Sequence, residues 1–127
     1  MRIGVIADIH ANLPALEAVL QDLPSVDQLI CLGDIVGYNP WPHECLELVR
    51  ERADLVLQGN HDRDTNNEQL YHYNELARAG LEFTREQLTD EEIQWLWNLP
   101  PESRHPGDVV ARRPQPSLED RRVRSTT

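Results

Sequence analysis

Along the first sixty residues, runs that are apolar on both faces alternate with stretches that are apolar on one side only. In residues 2–7, Ile, Val and Ala occupy successive positions, the pattern of a strand covered by helices on both sides. Asn12 can cap a helix with Pro14 in its first turn. Leu13, Leu16, Val19, Leu20 and Leu23 then recur at helical spacing until Pro24 ends it. Residues 28–32 predict a second strand, residues 44–52 a helix presenting Cys45, Leu48 and Val49, and residues 55–58 a third strand. The order is β-α-β-α-β. Helical crossovers of this length make the strands parallel and the connections right-handed.

The texture changes after the third strand. Residues 59–69 are polar and predict a loop, and a helix follows through Ala77, Leu81, Thr84 and Leu88. Thr89 with Glu92 three residues on is a capping-box signature, opening a short helix that carries Ile93, Leu96 and Trp97 until Pro100 and Pro101 stop it. Beyond Val109, Val110 and Ala111 the apolar content collapses, while Arg112, Arg113, Arg121, Arg122 and Arg124 gather among Pro114, Pro116 and terminal Ser and Thr. This divides the chain into an ordered part, residues 1–105, and an arginine-rich tail, residues 106–127, with the composition of disorder.

Charge sharpens the division. The 127 residues hold 22 acids against 12 bases, every base an arginine, for a net charge of −10. Residues 1–111 carry 7 arginines and 20 acids, a net of −13, whereas residues 112–127 carry 5 arginines and 2 acids, a net of +3. The length suits one domain. A surface this acidic repels polyphosphate backbones, which excludes a broad nucleic-acid-gripping face and leaves a bound cation as the source of local positive charge. The apolar runs are far shorter than the roughly 20 residues a membrane span requires, and the N-terminus lacks a basic leader. Cys31 and Cys45 form no C-x-x-C pair. Together these features are those of a soluble cytoplasmic protein.

The chemistry sits at the strand ends. Asp8 and His10 follow the first strand, Asp34 the second, and Asn60, His61 and Asp62 the third. In an open parallel sheet ligands bind beyond the carboxyl ends of the strands, so these sequence-distant residues converge on one crevice. Carboxylate, imidazole and amide donors together suit Mn, Fe, Zn or Ni better than a Ca or Mg cage. A carboxylate such as Asp34 can bridge two cations about 3.5 to 4 Å apart, an arrangement suited to phosphoester hydrolysis. Gly33, Gly37 and Gly59 allow close backbone approach or positive φ around these donors. Taken singly, each aspartate reads equally well as a turn former or helix cap. It is the set of three, in order, that carries the reading.

Asp8-Ile9-His10, Gly33-Asp34-Ile35-Val36-Gly37 and Gly59-Asn60-His61-Asp62 resemble, in order and spacing, the D-x-H, G-D-x-x-G and G-N-H-D motifs of calcineurin-like metallophosphoesterases. Asn12 to Leu16 and Tyr38 to Cys45 resemble the small prokaryotic phosphodiesterase-type branch. The resemblance implies the β-α-β-α-β start of a metallophosphoesterase-type α/β sandwich. It further implies two divalent ions, with Asp8 and His10 on the first, Asp34 bridging and Asn60 on the second. His61 would face the phosphate and protonate the leaving oxygen, with Asp62 fixing its orientation. The substrate expected is a small phosphomonoester or phosphodiester.

The family pattern continues with a strand ending in His-Gly and a later G-H-x-H segment, neither of which this sequence contains. After Trp97 the only histidine is His105, which precedes the strand whose end should carry a ligand. The resemblance thus covers a truncated first half, and the break after Val110 reads as a shifted frame or early end. Three expectations follow: a site holding one ion or none, self-association through an exposed sheet edge, and, as rivals to an enzyme, an interaction scaffold or a truncated product retaining a partial metal site. His43 and His72 read as surface or packing residues.

Overall fold

A computed structural model describes residues 1–67, 70, 72–105 and 109–112. Three strands, β1 (Ile3–Ile6), β2 (Gln28–Cys31) and β3 (Leu55–Val56), form a parallel sheet in the order β1-β2-β3. Ile3 pairs with Gln28 and Ile6 with Cys31, while Ile30 pairs with Leu55 and Cys31 with Val56. The crossovers are α1 (Leu13–Asp22) and α2 (Pro42–Arg52). Then come α3 (Asn60–Asp64), α4 (Glu75–Gln87), α5 (Asp90–Trp97) and an antiparallel pair, β4 (Glu102–His105) with β5 (Val109–Arg112). The mixed α/β fold expected from the pattern is the one observed. Asn12 accepts from the Ala15 N–H to start α1, and Thr89 and Glu92 exchange hydrogen bonds across the first turn of α5 as a capping box.

The main core lies on one face of the sheet. Ile6, Leu29 and Cys31 meet Leu16 and Leu20 of α1, Cys45, Leu46 and Val49 of α2, and Leu96 of α5. The opposite face carries a smaller cluster of Ile30 and Leu57, flanked by Ile3, Leu32 and Leu55. Here the expectation of a first strand covered on both sides is corrected. Gly4 and Ile6 are buried, but Val5 between them is 55% exposed, because α1, α2 and α5 pack on the other face.

Two further elements depart from the pattern. Residues 60–64, expected to be loop, form α3, a single polar turn whose first donors are met locally: Arg63 N–H donates to the Gly59 carbonyl and Gly59 N–H to the Asp62 carboxylate. The domain boundary placed at residue 106 falls between β4 and β5, so the segment read as tail contains the strand Val109–Arg112. Residues 106–108 and 113–127 of that tail lie outside the described residues. Among the described residues, no helix is long and apolar enough to cross a membrane.

Candidate metal centre

The chain turns sharply after β1 and after β2, and these two turns are stitched together. Asp8 N–H donates to the Gly33 carbonyl at 3.1 Å, His10 N–H to Asp34 at 2.8 Å and Ala11 N–H to Ile35 at 2.7 Å. The geometry forces non-glycine residues into the left-handed region: Asp8 at φ 58°, His10 at 47°, Ala11 at 56°, Asp34 at 55° and Tyr38 at 66°. Each such residue costs about 1 to 3 kcal/mol, and strain of this kind persists where surrounding contacts over-determine the backbone. Three of the five strained positions, Asp8, His10 and Asp34, are expected site residues.

Asp62 is the tie between the second and third strand ends. It is fully buried, and its carboxylate accepts Asp34 N–H at 2.8 Å, Ile35 N–H at 2.9 Å and Gly59 N–H at 2.9 Å. Burial, with the Asp34 charge close by, pushes its carboxyl up to about 7, against the pull of those three amides. Both Asp62 oxygens are thus engaged by backbone. Asp34 itself is 3% exposed, and its Oδ1 accepts the His61 N–H at 3.0 Å. Close approach is essential here: a Cβ on Gly59 would run into the Asp34 carboxylate and backbone.

The donor atoms converge. His10 Nδ1 lies 3.1 Å from the Val36 carbonyl, which can only accept, so in the neutral ring Nδ1 carries the proton and Nε2 presents its lone pair. That Nε2 is 3.9 Å from Asp8 Oδ1 and 4.0 Å from Asp34 Oδ2. Two atoms each about 2.1 Å from one ion lie at most about 4.2 Å apart, so both pairs fall within reach of a shared cation. Ligand atoms of Asp8, His10 and Asp34 all lie within 4.8 Å of one another. Two carboxylates around an imidazole lone pair form a donor set that fits a divalent first-row metal.

The remaining expected residues enter from α3. The buried His61 ring stacks edge-on against His10, with centroids 4.8 Å apart, and also contacts Tyr38 and Tyr73 at 5.1 and 5.2 Å. Gly37, at φ +97°, lets His61 close in, because a Cβ there would stand 2.6 Å from its Nδ1. Asn60 is the first residue of α3, and its Nδ2 donates to the Tyr73 hydroxyl at 3.2 Å. A cavity of about 310 Å³ opens beside Asp8 and His10, bordered by Asn12, Tyr38, Asn39 and Val19.

Two neighbours of the site were not read from the sequence. Asp64, 3% exposed, accepts from Tyr73 at 2.6 Å and from Arg63 Nε and Nη2 at 2.9 and 3.2 Å. Burial alone would raise its carboxyl, but the Arg63 and Tyr73 hydrogen bonds outweigh it and hold the group below the usual carboxylate range. Asp64 sits four residues after Asn60, on the same side of a helical turn, and that spacing was the available signal. Tyr73 carries no spacing signal at all.

With this geometry, three motifs meeting at parallel strand ends, the chain belongs to the calcineurin-like phosphoesterase family, whose sequence model matches residues 1–110. It is 41% identical over 101 residues to an uncharacterized protein of Methanocaldococcus jannaschii, covering 77% of this chain and 42% of that protein. Among solved structures it is similar to a metallophosphoesterase from Sphaerobacter thermophilus, at 47% identity and a TM-score of 0.69, covering 81% of this chain and 42% of that one. It is also similar to a hypothetical protein from Pyrococcus horikoshii OT3, at 25% identity and a TM-score of 0.67, covering 80% and 49%. The chain therefore spans less than half the length of these relatives.

Proposed function

We propose that this chain supplies the first half of a centre for metal-dependent phosphoester hydrolysis. The observation that carries the reading is the meeting of Asp8, His10 and the buried Asp34 around the lone pair of His10 Nε2, on backbone strained at all three positions. Two divalent ions of the Mn, Fe, Zn or Ni type, when bound, supply an activated water and neutralise charge developing on the phosphoryl oxygens. Asp8, His10 and Asp34 would hold the first ion, and Asp34 and Asn60 the second.

The chain's own groups do the rest. His61, buried beside His10 and backed by Gly37, contacts the phosphate and delivers a proton to the leaving oxygen, the role of an imidazole acid near neutral pH. Asp62 keeps Asp34 and Ile35 in place through their amides, so the Asp34 carboxylate is held in position before any ion would bind. The acidic surface favours a small phosphoester over a polymer.

The test is hydrolysis of bis(p-nitrophenyl) phosphate with added Mn. Turnover that requires the metal and falls at least 100-fold in Asp34→Asn supports the reading. Turnover indifferent to Asp34 or to chelator sinks it. The rival reading is a scaffold that keeps the partial metal site without catalysis. It is favoured if Mn binds with Asp34 dependence and no turnover follows.

A further inference from the structure

We propose that Tyr73 is a positioning residue that sets which end of the Asn60 amide is offered to a cation. The inference rests on the reading of Asn60 as a metal ligand. It follows from counting protons at one oxygen. Among the described residues, the Tyr73 hydroxyl has three hydrogen-bonding neighbours: Asp64 Oδ2 at 2.6 Å, Asn60 Nδ2 at 3.2 Å and the Asn60 main-chain carbonyl at 3.4 Å. A phenol carries one proton, and the short contact to a carboxylate claims it. Arg63 clamps that same carboxylate with two donors, so Asp64 is fixed as a charged acceptor. His72 Nε2 also lies close to this carboxylate, 3.5 Å from Asp64 Oδ2.

With its proton committed to Asp64, the hydroxyl meets the Asn60 side chain only as an acceptor. Its partner must then be the amide nitrogen, because the amide oxygen would set acceptor against acceptor. Fixing Nδ2 on Tyr73 turns Oδ1 away from it, and Oδ1 is the one side-chain atom of asparagine that binds a hard cation. The chain Arg63, Asp64, Tyr73, Asn60 is thus an outer layer that fixes an amide flip, as hydrogen-bonded partners fix the orientation of ligating side chains in metal sites. Asn60 and Asp64 lie on one side of α3, and Tyr73 closes over both just ahead of α4.

The experiment compares wild-type, Tyr73→Phe, Asn60→Ala and the double variant, with circular dichroism confirming an unchanged fold. In metal-free protein, hydrogen exchange at the Asn60 side-chain amide, read in a ¹⁵N spectrum, should quicken several-fold in Tyr73→Phe. Titration with Mn, followed by the electron paramagnetic resonance of the free ion, should show Tyr73→Phe weakened by about 10-fold. The double variant should be no weaker than Asn60→Ala, since Tyr73 acts through Asn60. Mn affinity unchanged in Tyr73→Phe, or losses that add in the double variant, overturns the proposal. Failure of the functional reading looks different: wild-type Mn binding is then absent or indifferent to Asp34→Asn, whatever the metal-free exchange shows.

Discussion

Asp62 shows what a single side chain does when it is placed to serve backbone. Three main-chain N–H groups from two different strand ends converge on its two oxygens, at 2.8 to 2.9 Å, in full burial. A carboxylate can accept all three. An amide cannot, because its NH2 end would face at least one N–H donor and leave that donor buried without an acceptor. Asp62→Asn, nearly identical in shape, should therefore cost about 1 to 3 kcal/mol of stability. Urea unfolding at pH 8.5, where the Asp62 carboxyl is ionised, measures it, and a loss below about 0.5 kcal/mol would mean that the loops are held by something else. The sequence marked Asp62 as a site residue but could not show this task, since two of the three amides it serves belong to residues 27 and 28 positions away. The strained backbone of Ala11 was equally unreadable, because alanine does not advertise positive φ.

The elements were legible in proportion to how much apolar surface they bury. β1, β2, α1, α2, α4 and α5 all announced themselves through spacing or capping, and the cap residues Asn12 and Thr89 do what their side chains allow. α3 did not, because Asn60 to Asp64 is polar throughout and its single turn is held by hydrogen bonds to Gly59 and not by a hydrophobic stripe. β4, drawn from Glu102 to His105, is likewise polar. His43, read as a surface or packing residue, takes part in a clasp between α2 and α5. Its Nδ1 lies 2.7 Å from the buried Glu92, and next to it Arg50 forms a two-pronged pair with Glu91 at 2.9 and 3.0 Å. The hydrogen bond to Glu92 holds the His43 imidazole above its ordinary value, more than burial lowers it, with Glu47 and Glu44 adding smaller pulls. A folded-state value raised above the unfolded one means that the stabilisation is fully present below about pH 6.5 and is lost as pH rises through the folded value. His43 is half exposed, so the effect should stay below about 1 kcal/mol. Unfolding curves of wild-type and His43→Gln should separate more at pH 5.5 than at pH 8.5. An equal gap at both would show that the pair acts through packing and not charge.

At the scale of the whole molecule, two opposed forces meet at β1. It is the outer strand of the β1-β2-β3 sheet, with β2 as its paired neighbour among the described residues, and Val5 stands exposed beside the small cluster of Ile30 and Leu57. An edge of this kind offers backbone donors and acceptors to another chain, and the bare valine adds apolar area to be covered. Against this stands a net charge of −10, which makes two copies repel at long range. The forces differ in how they respond to salt. Repulsion between exposed charges is largely screened beyond about 10 Å at 0.1 M ionic strength and beyond about 3 Å at 1 M, whereas edge pairing and apolar contact persist. Self-association through β1 should therefore strengthen as salt rises, the reverse of an association built on ion pairs. Sedimentation velocity across a concentration series at low and high salt measures it. Val5→Lys, which puts a charge on the open face without touching the main core, should return the chain toward monomer at both salts. A monomer at every concentration would show that net repulsion, together with the edge's own solvation, outweighs what the exposed strand can gain.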